Sequence, residues 1–399
     1  MSEARDLLTP EAIRERCGHV FEAGLAGKLE SFDIELDALG EVADRVAATT
    51  KQRYPDLSTI PYHGRLGHLR SGGVDRPGRV IDATGDERAR RLFELVITST
   101  LLDAGAGMAW RFVEDEGGKP TIYARSEGLA VASAHLFGAG AFSSKGGAIA
   151  DAAGLEALGT DTIPEGFQVT ADNPLVGVEG RTELLRSLGR AVRARPDVFG
   201  DEGRVGGLYD HLASKAEGGK LPARAILIAL LDALGTIWPS RITLDGVPLG
   251  DVWKHPAAGG HGATAGLVPF HKLSQWLSYS LLEPLEGAGI EVTDLDRLTG
   301  LAEYRNGGLF VDAGVLVPKH EGVTRDAHGP ASPVIVEWRA LTVILLDRVA
   351  PLVRKRLGVE LPLAKVLEGG TWHAGREIAR ELREDGGPPI RLDSDGTVF

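Results

Sequence analysis

The segment LAEYRNGGLF (301–310) places four groups capable of chemistry inside an otherwise apolar neighbourhood. Glu303 supplies a carboxylate, Tyr304 a phenol, Arg305 a guanidinium and Asn306 a carboxamide. A carboxylate can stabilise a developing positive charge or deprotonate water, and a guanidinium can bind a phosphate in a bidentate manner. The same residues could instead form a buried ion pair that joins two helices. The segment alone leaves both interpretations open.

A second group of polar residues lies in LVPFHKLSQWLSYSLLEPLE (267–286). Its leucines recur at helical spacing and predict one packed face. Lys272, Gln275 and Tyr279 fall on a separate face, with Trp276 beside it. A solvated helix face usually mixes Glu and Lys, whereas this face carries one cation, an amide, an indole and a phenol. The pattern is more typical of a binding pocket than of a surface.

Other motifs that often carry chemistry are incomplete. LLDAGAG (101–107) lacks the third glycine and the preceding strand of a dinucleotide site, and SSKGG (143–147) lacks the residue order of a P-loop. Neither HExxH nor GxSxG occurs in the sequence. His255 and His261 could ligate a metal, although a structural role is the simpler interpretation. We therefore predict neither a metal site nor a cofactor.

Helices must position these groups. Thr9-Pro10-Glu11 is typical of an N-cap followed by proline at the first helical position, and predicts a helix that runs to about Gly27. Apolar periodicity predicts further helices over 83–103, 180–195, 205–216, 222–236, 266–286, 334–357 and 373–384. Turn signals and β-branched residues predict hairpins over 122–131 and 241–253. Since long βαβ alternation does not occur, we predict a mainly α fold with a few short β-hairpins.

The composition is that of an ordinary globular protein, with 43% hydrophobic and 25% charged residues in 399. A net charge of −12 argues against nucleic acid or an anionic membrane as the partner. Cys17 is the only cysteine, so an intramolecular disulfide cannot form. Residues 1–17 lack the apolar run of a signal peptide, and the apolar stretch 225–238 is too short to cross a bilayer. We expect a cytoplasmic protein whose oligomeric state is not predicted.

Several strings resemble a known family in combination. They are PYHGRLGHLRSGGVDR (61–76), LLDAGAGMAW (101–110), YARSEGLAVAS (123–133), ADNPLVGVEGR (171–181), PFHKLSQWL (269–277), DLDRLTGLAEYRNGGLFVDAGVL (294–316), EWRALTVILLD (337–347), LEGGTWHAGR (367–376) and the terminal DGTVF. They resemble the uracil-catabolism family of fungi and bacteria, which long carried only an unknown-function label. The resemblance spans essentially the whole chain. It implies one unit over 1–399, with a division into lobes of about 1–165 and 166–399, and a site between them, as the alternative.

A more distant resemblance bears on mechanism. The K-x-x-Q helix followed by L-T-x-x-x-(acid)-Y-R is similar to the queuosine-salvage nucleotide N-glycosylases, which hydrolyse a base–ribose bond in a 5′-monophosphate. That family carries aspartate before Tyr-Arg, whereas this chain carries Glu303, one methylene longer. The resemblance implies a helical N-glycosylase-like architecture. The longer side chain would suit a smaller leaving group.

Together the two resemblances imply an N-ribosyl hydrolase of pyrimidine catabolism that releases urea or base from a ureido-ribose or related nucleotide. They imply that the Glu303 carboxylate faces the anomeric carbon and that Lys272 binds phosphate. Asp251, in LGDVWKH, and Glu127, in RSEG, are the candidates for a second catalytic acid, although a structural role is the simpler interpretation of each. The substrate-binding candidates are Lys272, Gln275, Trp276, Tyr279, Tyr304, Arg305, Asn306, Glu127 and Arg181.

Two other functions remain open from the sequence. One is a non-catalytic binding or scaffold protein for an intermediate of uracil catabolism. The other is a transferase that forms the uracil nucleotide from a ribosyl diphosphate, although no diphosphate-binding loop follows paired acidic residues here. In each case the expected partner is a small-molecule nucleoside or nucleotide. Whether that molecule carries a 5′-phosphate is not predicted.

Overall fold

Helices make up most of the computed structural model, which describes residues 3–103, 105–115, 118–238 and 242–393. The longer helices are α1 (Pro10–Leu25), α2 (Leu39–Arg53), α3 (Gly85–Leu101), α4 (Arg125–Gly138), α5 (Val178–Ala194), α6 (Ala223–Leu234), α7 (Lys272–Ser280), α8 (Tyr304–Asp312), α9 (Pro333–Leu357) and α10 (Trp372–Leu382). Shorter helical segments are Glu3–Asp6, Leu36–Ala38, Leu57–Thr59, Arg65–Leu69, Ser71–Gly73, Arg76–Val80, Ala152–Glu156, Thr162–Gly166, Pro196–Phe199, Gly207–Ala213, Gly235–Ile237, Pro256–Ala258, Gly262–Thr264, Leu282–Gly287, Leu295–Arg297, Gly322–Arg325 and Leu363–Val366. A π-helical turn, Leu367–Thr371, precedes α10.

The strands of the described residues are short and occur in two-stranded pairs. The antiparallel pairs are Phe32–Ile34 with Leu316–Pro318, Phe112–Asp115 with Pro120–Tyr123, Thr243–Leu244 with Val247–Pro248, and Val252–Lys254 with Leu267–Pro269. The parallel pairs are Lys220–Pro222 with Glu291–Thr293, and Ala327–His328 with Arg391–Leu392. The predicted mainly α fold with small β elements is confirmed.

The predicted first helix is confirmed, and its cap has the expected geometry. The Thr9 side chain accepts a hydrogen bond from the Ala12 N–H, and Pro10 occupies the first turn. The longest helix, α9, begins in a similar way, because Ser332 accepts from the Ile335 N–H ahead of Pro333. Proline at this position removes an N–H that would lack a helical partner in any case.

Two predicted elements are wrong in type. The sequence predicts one helix over 266–286, but this segment is a strand, then α7, then the short helix Leu282–Gly287. His271, with a left-handed φ of 46°, separates the strand from α7. A hairpin is predicted over 122–131, yet only the first residues of that segment are a strand and α4 begins at Arg125. The hairpin predicted over 241–253 is confirmed where it is described, because Asp245 and Gly246 both have positive φ in its turn.

The chain folds into two compact units, each built from segments distant in sequence. Unit 1 comprises 1–63, 240–276 and 294–399, and unit 2 comprises 64–239 and 277–293. In unit 1, α9 packs against α1, α2 and α8, and α8 packs against α10. In unit 2, α3 packs against α4, and α5 packs against the short helix Ala152–Glu156. Residues of α7 up to Trp276 belong to unit 1.

The two glycines of the YRNGG motif lie inside α8 and allow close helix packing. A Cβ added at Gly307 would lie 2.7 Å from Trp338 Nε1 and 2.8 Å from Thr342 Oγ1, both on α9. At Gly308 it would lie 3.1 Å from Pro389 Cδ. The glycines therefore lie in the interior of α8 and let it pack closely against its neighbours.

We expect Gly307→Ala to lower the free energy of unfolding by about 1–3 kcal/mol, because the added methyl overpacks the contact between α8 and α9. The control is Gly180→Ala, at an exposed position of α5 where an added Cβ meets nothing within 4 Å. That control should be neutral or gain up to about 1 kcal/mol. Denaturant unfolding measures both, and equal stability of the two variants would contradict this account of Gly307.

Candidate active site

Glu303 caps the N-terminus of α8 from a buried position. Its Oε2 accepts from the Arg305 N–H at 2.7 Å, and its Oε1 accepts from the Asn306 N–H at 2.6 Å. Burial raises the pKa of the Glu303 carboxyl, while these two N–H groups, Lys272 and a protonated His63 act to lower it. The Glu303 carboxylate therefore lies in a water-poor position at the positive end of the α8 dipole. Lys272 and a protonated His63 are the cationic groups that act on it.

Unit 1, which contains Glu303, also contains the buried side-chain amides of Asn306 and Gln275. Both side chains are fully buried. Within the described residues, neither polar atom of the Asn306 side chain has a hydrogen-bond partner, and the Gln275 Nε2 has none either. The Gln275 Oε1 accepts a long bond of 3.4 Å from the Thr299 N–H. Buried polar groups are nearly always satisfied, so these atoms have hydrogen-bonding capacity that the described residues do not use.

Lys272 begins α7 and is half-buried. Its backbone N–H donates to the Asp251 carboxylate at 3.0 Å, and its charge acts on Glu303. Trp276, one turn further along α7, is buried. The structure therefore brings the K-x-x-Q segment of α7 and the N-terminus of α8 into one unit.

The Arg305 guanidinium does not join Glu303 in the ion pair that the sequence left open. It donates to the Gly386 carbonyl at 2.8 Å and lies over the ring of the half-buried Tyr304. Arg305 meets Glu303 through its backbone N–H instead. This arrangement leaves the Glu303 carboxylate held by backbone groups alone among the contacts described for it.

Asp251 is engaged by Arg339 through both carboxylate oxygens, each at 2.8 Å. Its Oδ1 also accepts from the Trp253 indole at 2.7 Å, and the Arg339 guanidinium lies over the Phe270 ring. Although burial acts to raise it, the pKa of Asp251 is held well below its usual range by Arg339. With the Lys272 N–H as a further donor, these contacts fix the loop from which α7 begins.

Three of the predicted binding residues belong to unit 2. Tyr279 is buried, and Glu127 is half-buried in the first turn of α4. Arg181 is buried, and burial lowers its pKa to about 10, with Asp103 acting against that shift and Arg65 adding to it. Arg65 itself forms an ion pair of 3.2 Å with Asp103. Unit 2 therefore has its own buried group of charges.

The two histidines considered as metal ligands differ in burial and in contacts. His255 is buried, with Nε2 3.3 Å from Glu337 Oε1, whereas His261 is exposed. In the described ranges, no three His, Cys, Asp or Glu side chains are grouped as a metal would require.

Over the same ranges, no helix has the length and apolarity needed to cross a membrane.

The sequence did not predict one cluster of hydrogen-bonded polar side chains. His63, Glu368 and Tyr54 are hydrogen-bonded together in unit 1, although His63 and Glu368 are far apart in the chain. Both lie in strings that carry the family resemblance, PYHG and LEGGTWH. That was the only signal available, and it did not indicate that they meet.

Comparisons with known proteins agree with the family resemblance. The model of DUF1688, described as a protein of unknown function, matches residues 6–399. The chain is 41% identical over 426 residues to Uracil catabolism protein 4 of Lachancea kluyveri, covering 97% of each chain. It is 40% identical over 409 residues to Protein urg3 of Schizosaccharomyces pombe, covering 98% of each. The chain belongs to the DUF1688 family.

Proposed function

We propose that this chain is an N-ribosyl hydrolase of uracil catabolism that releases urea or a base from a ureido-ribose or related nucleotide. The name of the Lachancea kluyveri relative supports the pathway. The reaction is inferred from the resemblance of the K-x-x-Q and acid-Tyr-Arg segments to nucleotide N-glycosylases, which rests on these motifs alone. The observation that carries the proposal is Glu303, a buried carboxylate at the N-terminus of α8, in the same unit as the Asn306 and Gln275 amides, which have polar atoms without a partner among the described residues.

The chemistry needs a carboxylate in such a place. As the bond from the anomeric carbon to nitrogen breaks, positive charge builds up on the anomeric carbon and ring oxygen. A preorganised carboxylate in a water-poor site stabilises that charge more strongly than it would in water. The Glu303 carboxylate can also orient the attacking water and accept its proton. The bond electrons leave with the nitrogen, and the water oxygen adds to the anomeric carbon.

The neighbouring groups have roles that follow from their chemistry. The amides of Asn306 and Gln275 offer donors and an acceptor to ribose hydroxyls or to the ureido group. Lys272 would bind a 5′-phosphate as a point charge. Asp251 would act on the reaction through the position of Lys272, because it holds the start of α7.

Mass spectrometry of the purified full-length protein incubated with ribosylurea or its 5′-phosphate tests the proposal. We expect urea together with ribose or ribose phosphate, and the better substrate of the two identifies the role of the phosphate. A binding or scaffold protein would yield no product from either compound. Formation of a uracil nucleotide from uracil and a ribosyl diphosphate would point to transfer chemistry and overturn the hydrolase.

We expect Asn306→Leu to raise the free energy of unfolding by about 1–3 kcal/mol, because it removes a buried amide that has no hydrogen-bond partner among the described residues. The same change should weaken substrate binding, since the amide would then be absent from the site. Thermal unfolding with and without ribosylurea measures both effects in proteins that also carry Glu303→Gln, so that the ligand is not consumed: ribosylurea should raise the Tm of the Glu303→Gln protein more than that of the double variant.

The matched control is Asn173→Leu. The Asn173 side chain donates to the Arg111 and Gln168 carbonyls and accepts from the Arg111 N–H, so its amide is satisfied. Its replacement should destabilise the protein and leave the substrate-induced shift in Tm unchanged. If Asn306→Leu is as destabilising as Asn173→Leu, the Asn306 amide contributes to folding as Asn173 does, and its proposed role in binding a ligand is contradicted.

A further inference from the structure

His63 is held in a defined orientation by a half-buried carboxylate. Its Nδ1 lies 2.8 Å from Glu368 Oε2, and the Tyr54 hydroxyl donates to Glu368 Oε1 at 3.2 Å. The His63 backbone N–H donates to the Ala364 carbonyl at 3.1 Å. A carboxylate on Nδ1 fixes the tautomer and makes Nε2 the nitrogen that exchanges protons with a third group.

The segment that carries Glu368 has an unusual backbone. Leu367–Thr371 is a π-helical turn, a feature that is rare and often found at functional sites. Its two glycines allow a close approach to α2, because a Cβ at Gly370 would lie 2.5 Å from Thr50 Oγ1 and 2.6 Å from Val46 Cγ1. The turn thus brings Glu368 next to Tyr54, which follows α2 directly.

Two titratable neighbours of His63 keep one protonation state near neutral pH. Burial lowers the pKa of His373 to about 3, so that its ring stays neutral. Arg53 and Arg376 contribute to that shift as fixed positive charges. Burial, with the charge of Glu368, raises the pKa of Tyr54 to about 12, so the phenol stays protonated. His63 also acts electrostatically on Glu303 when protonated.

We propose that His63 is a further catalytic residue of this site, a general acid that Glu368 positions and that protonates the leaving nitrogen. The inference rests on the proposed function. Because a urea anion is a poor leaving group, cleavage needs a proton at the nitrogen as the bond electrons arrive. His63 Nε2–H supplies that proton while Glu303 stabilises the sugar cation. The proton that water loses to Glu303 restores the imidazolium through solvent, so the net reaction adds one water.

Comparing leaving groups tests this assignment. We expect His63→Asn to hydrolyse ribosylurea at least about 100-fold more slowly than the wild type. On 4-nitrophenyl ribofuranoside, whose leaving group needs no proton, the same variant should stay within about 10-fold of the wild type. Glu303→Gln should lose activity on both substrates. His63→Gln is a second substitution that should behave like His63→Asn, and circular dichroism and Tm verify that each variant is folded. The control is His320→Asn, at an exposed position, which should leave both rates unchanged.

The pH profile on ribosylurea tests the assignment independently. The wild-type rate should fall at alkaline pH as the imidazolium loses its proton, and this limb should disappear in His63→Asn. In Glu368→Gln the limb should move to lower pH, because the carboxylate that favours the imidazolium is gone. A His63→Asn variant with wild-type rates, or with equal losses on both substrates and an unchanged pH limb, overturns the role of His63. If the wild type cleaves neither substrate, the proposed function fails and this inference fails with it.

Discussion

Glu303→Gln is expected to lower the turnover of ribosylurea by at least about 100-fold, the usual loss when a preorganised electrostatic group is removed from a transition state. The amide is isosteric, yet it cannot stabilise a cation as a carboxylate does or accept a proton from water. The loss should appear mainly in kcat, because the charge that Glu303 stabilises develops only in the transition state. Glu303→Asp should retain more activity than Glu303→Gln, since it keeps the charge at a changed distance.

The stability of Glu303→Gln should match or exceed that of the wild type at pH 7. Burial raises the folded-state pKa of Glu303 above its unfolded value. The carboxyl therefore stabilises the fold below the unfolded pKa of about 4.3, and this contribution is lost as pH rises through the folded pKa. Glutamine does not ionise and avoids that loss, and its side-chain oxygen still caps one N–H of α8.

Two measurements decide the role of Glu303. Steady-state kinetics between about pH 4 and 9 should show an acid limb in the wild type, where protonation of Glu303 stops the reaction, and no such limb in the residual rate of Glu303→Gln. Unfolding in denaturant at pH 7 shows that the variant is folded. A folded Glu303→Gln protein with full turnover would remove Glu303 from the mechanism.

Elements that are determined locally could be predicted from the sequence. Thr9-Pro10 carries its own cap, and the helix it opens is predictable nearly to its last residue. The segment 122–131, in which α4 starts, resembles a hairpin in sequence because Ile122 and Val131 are β-branched and Gly128 between them is a turn signal. The break at His271 depends on a backbone conformation that no residue type signals and that the contacts of Asp251 hold in place.

The site was predictable in its residue types but not in its geometry. The types in AEYRN indicated a buried carboxylate with polar neighbours, and Glu303 and Asn306 are buried. The Glu303 cap is a local contact, but glutamate is not among the residue types that usually cap a helix, so the residue type did not signal it. That the Arg305 guanidinium would go to Gly386 depends on the packing of segments distant in sequence. The pair of His63 and Glu368 is beyond local patterns for the same reason, because a turn of the chain far from PYHG supplies its carboxylate.

Loss of either partner of the Asp251–Arg339 ion pair should strongly destabilise unit 1. Removing one partner of a buried pair typically costs about 3–5 kcal/mol, because the other charge stays buried and uncompensated. We expect a loss of this size for Asp251→Asn and for Arg339→Met in denaturant unfolding at pH 7. The control is Asp44→Asn in the more exposed pair with Arg356, which should cost less than about 1 kcal/mol.

The pH dependence of stability should follow from the same pair. Since the folded pKa of Asp251 lies well below its unfolded value, the stabilisation is present above the unfolded pKa of about 3.9 and is lost as pH falls toward the folded one. The wild type should therefore lose more stability between pH 5 and about 3 than Asp251→Asn does. Similar losses in the two proteins would contradict the assignment of this ion pair as a major source of stability.

The same variant separates a positioning role of Asp251 from catalysis. A positioning residue acts through Lys272 and Gln275, so Asp251→Asn, measured at a temperature where it remains folded, should raise KM and keep the acid and alkaline limbs of the rate profile. A second catalytic acid would instead lose kcat together with one limb. The contacts of Asp251 favour the first outcome, because Arg339, Trp253 and the Lys272 N–H already engage both of its oxygens. If Asp251→Asn loses one limb of the pH–rate profile while KM is unchanged, Asp251 is a catalytic acid or base. Arg339 would then be the group that controls the charge of the Asp251 carboxylate.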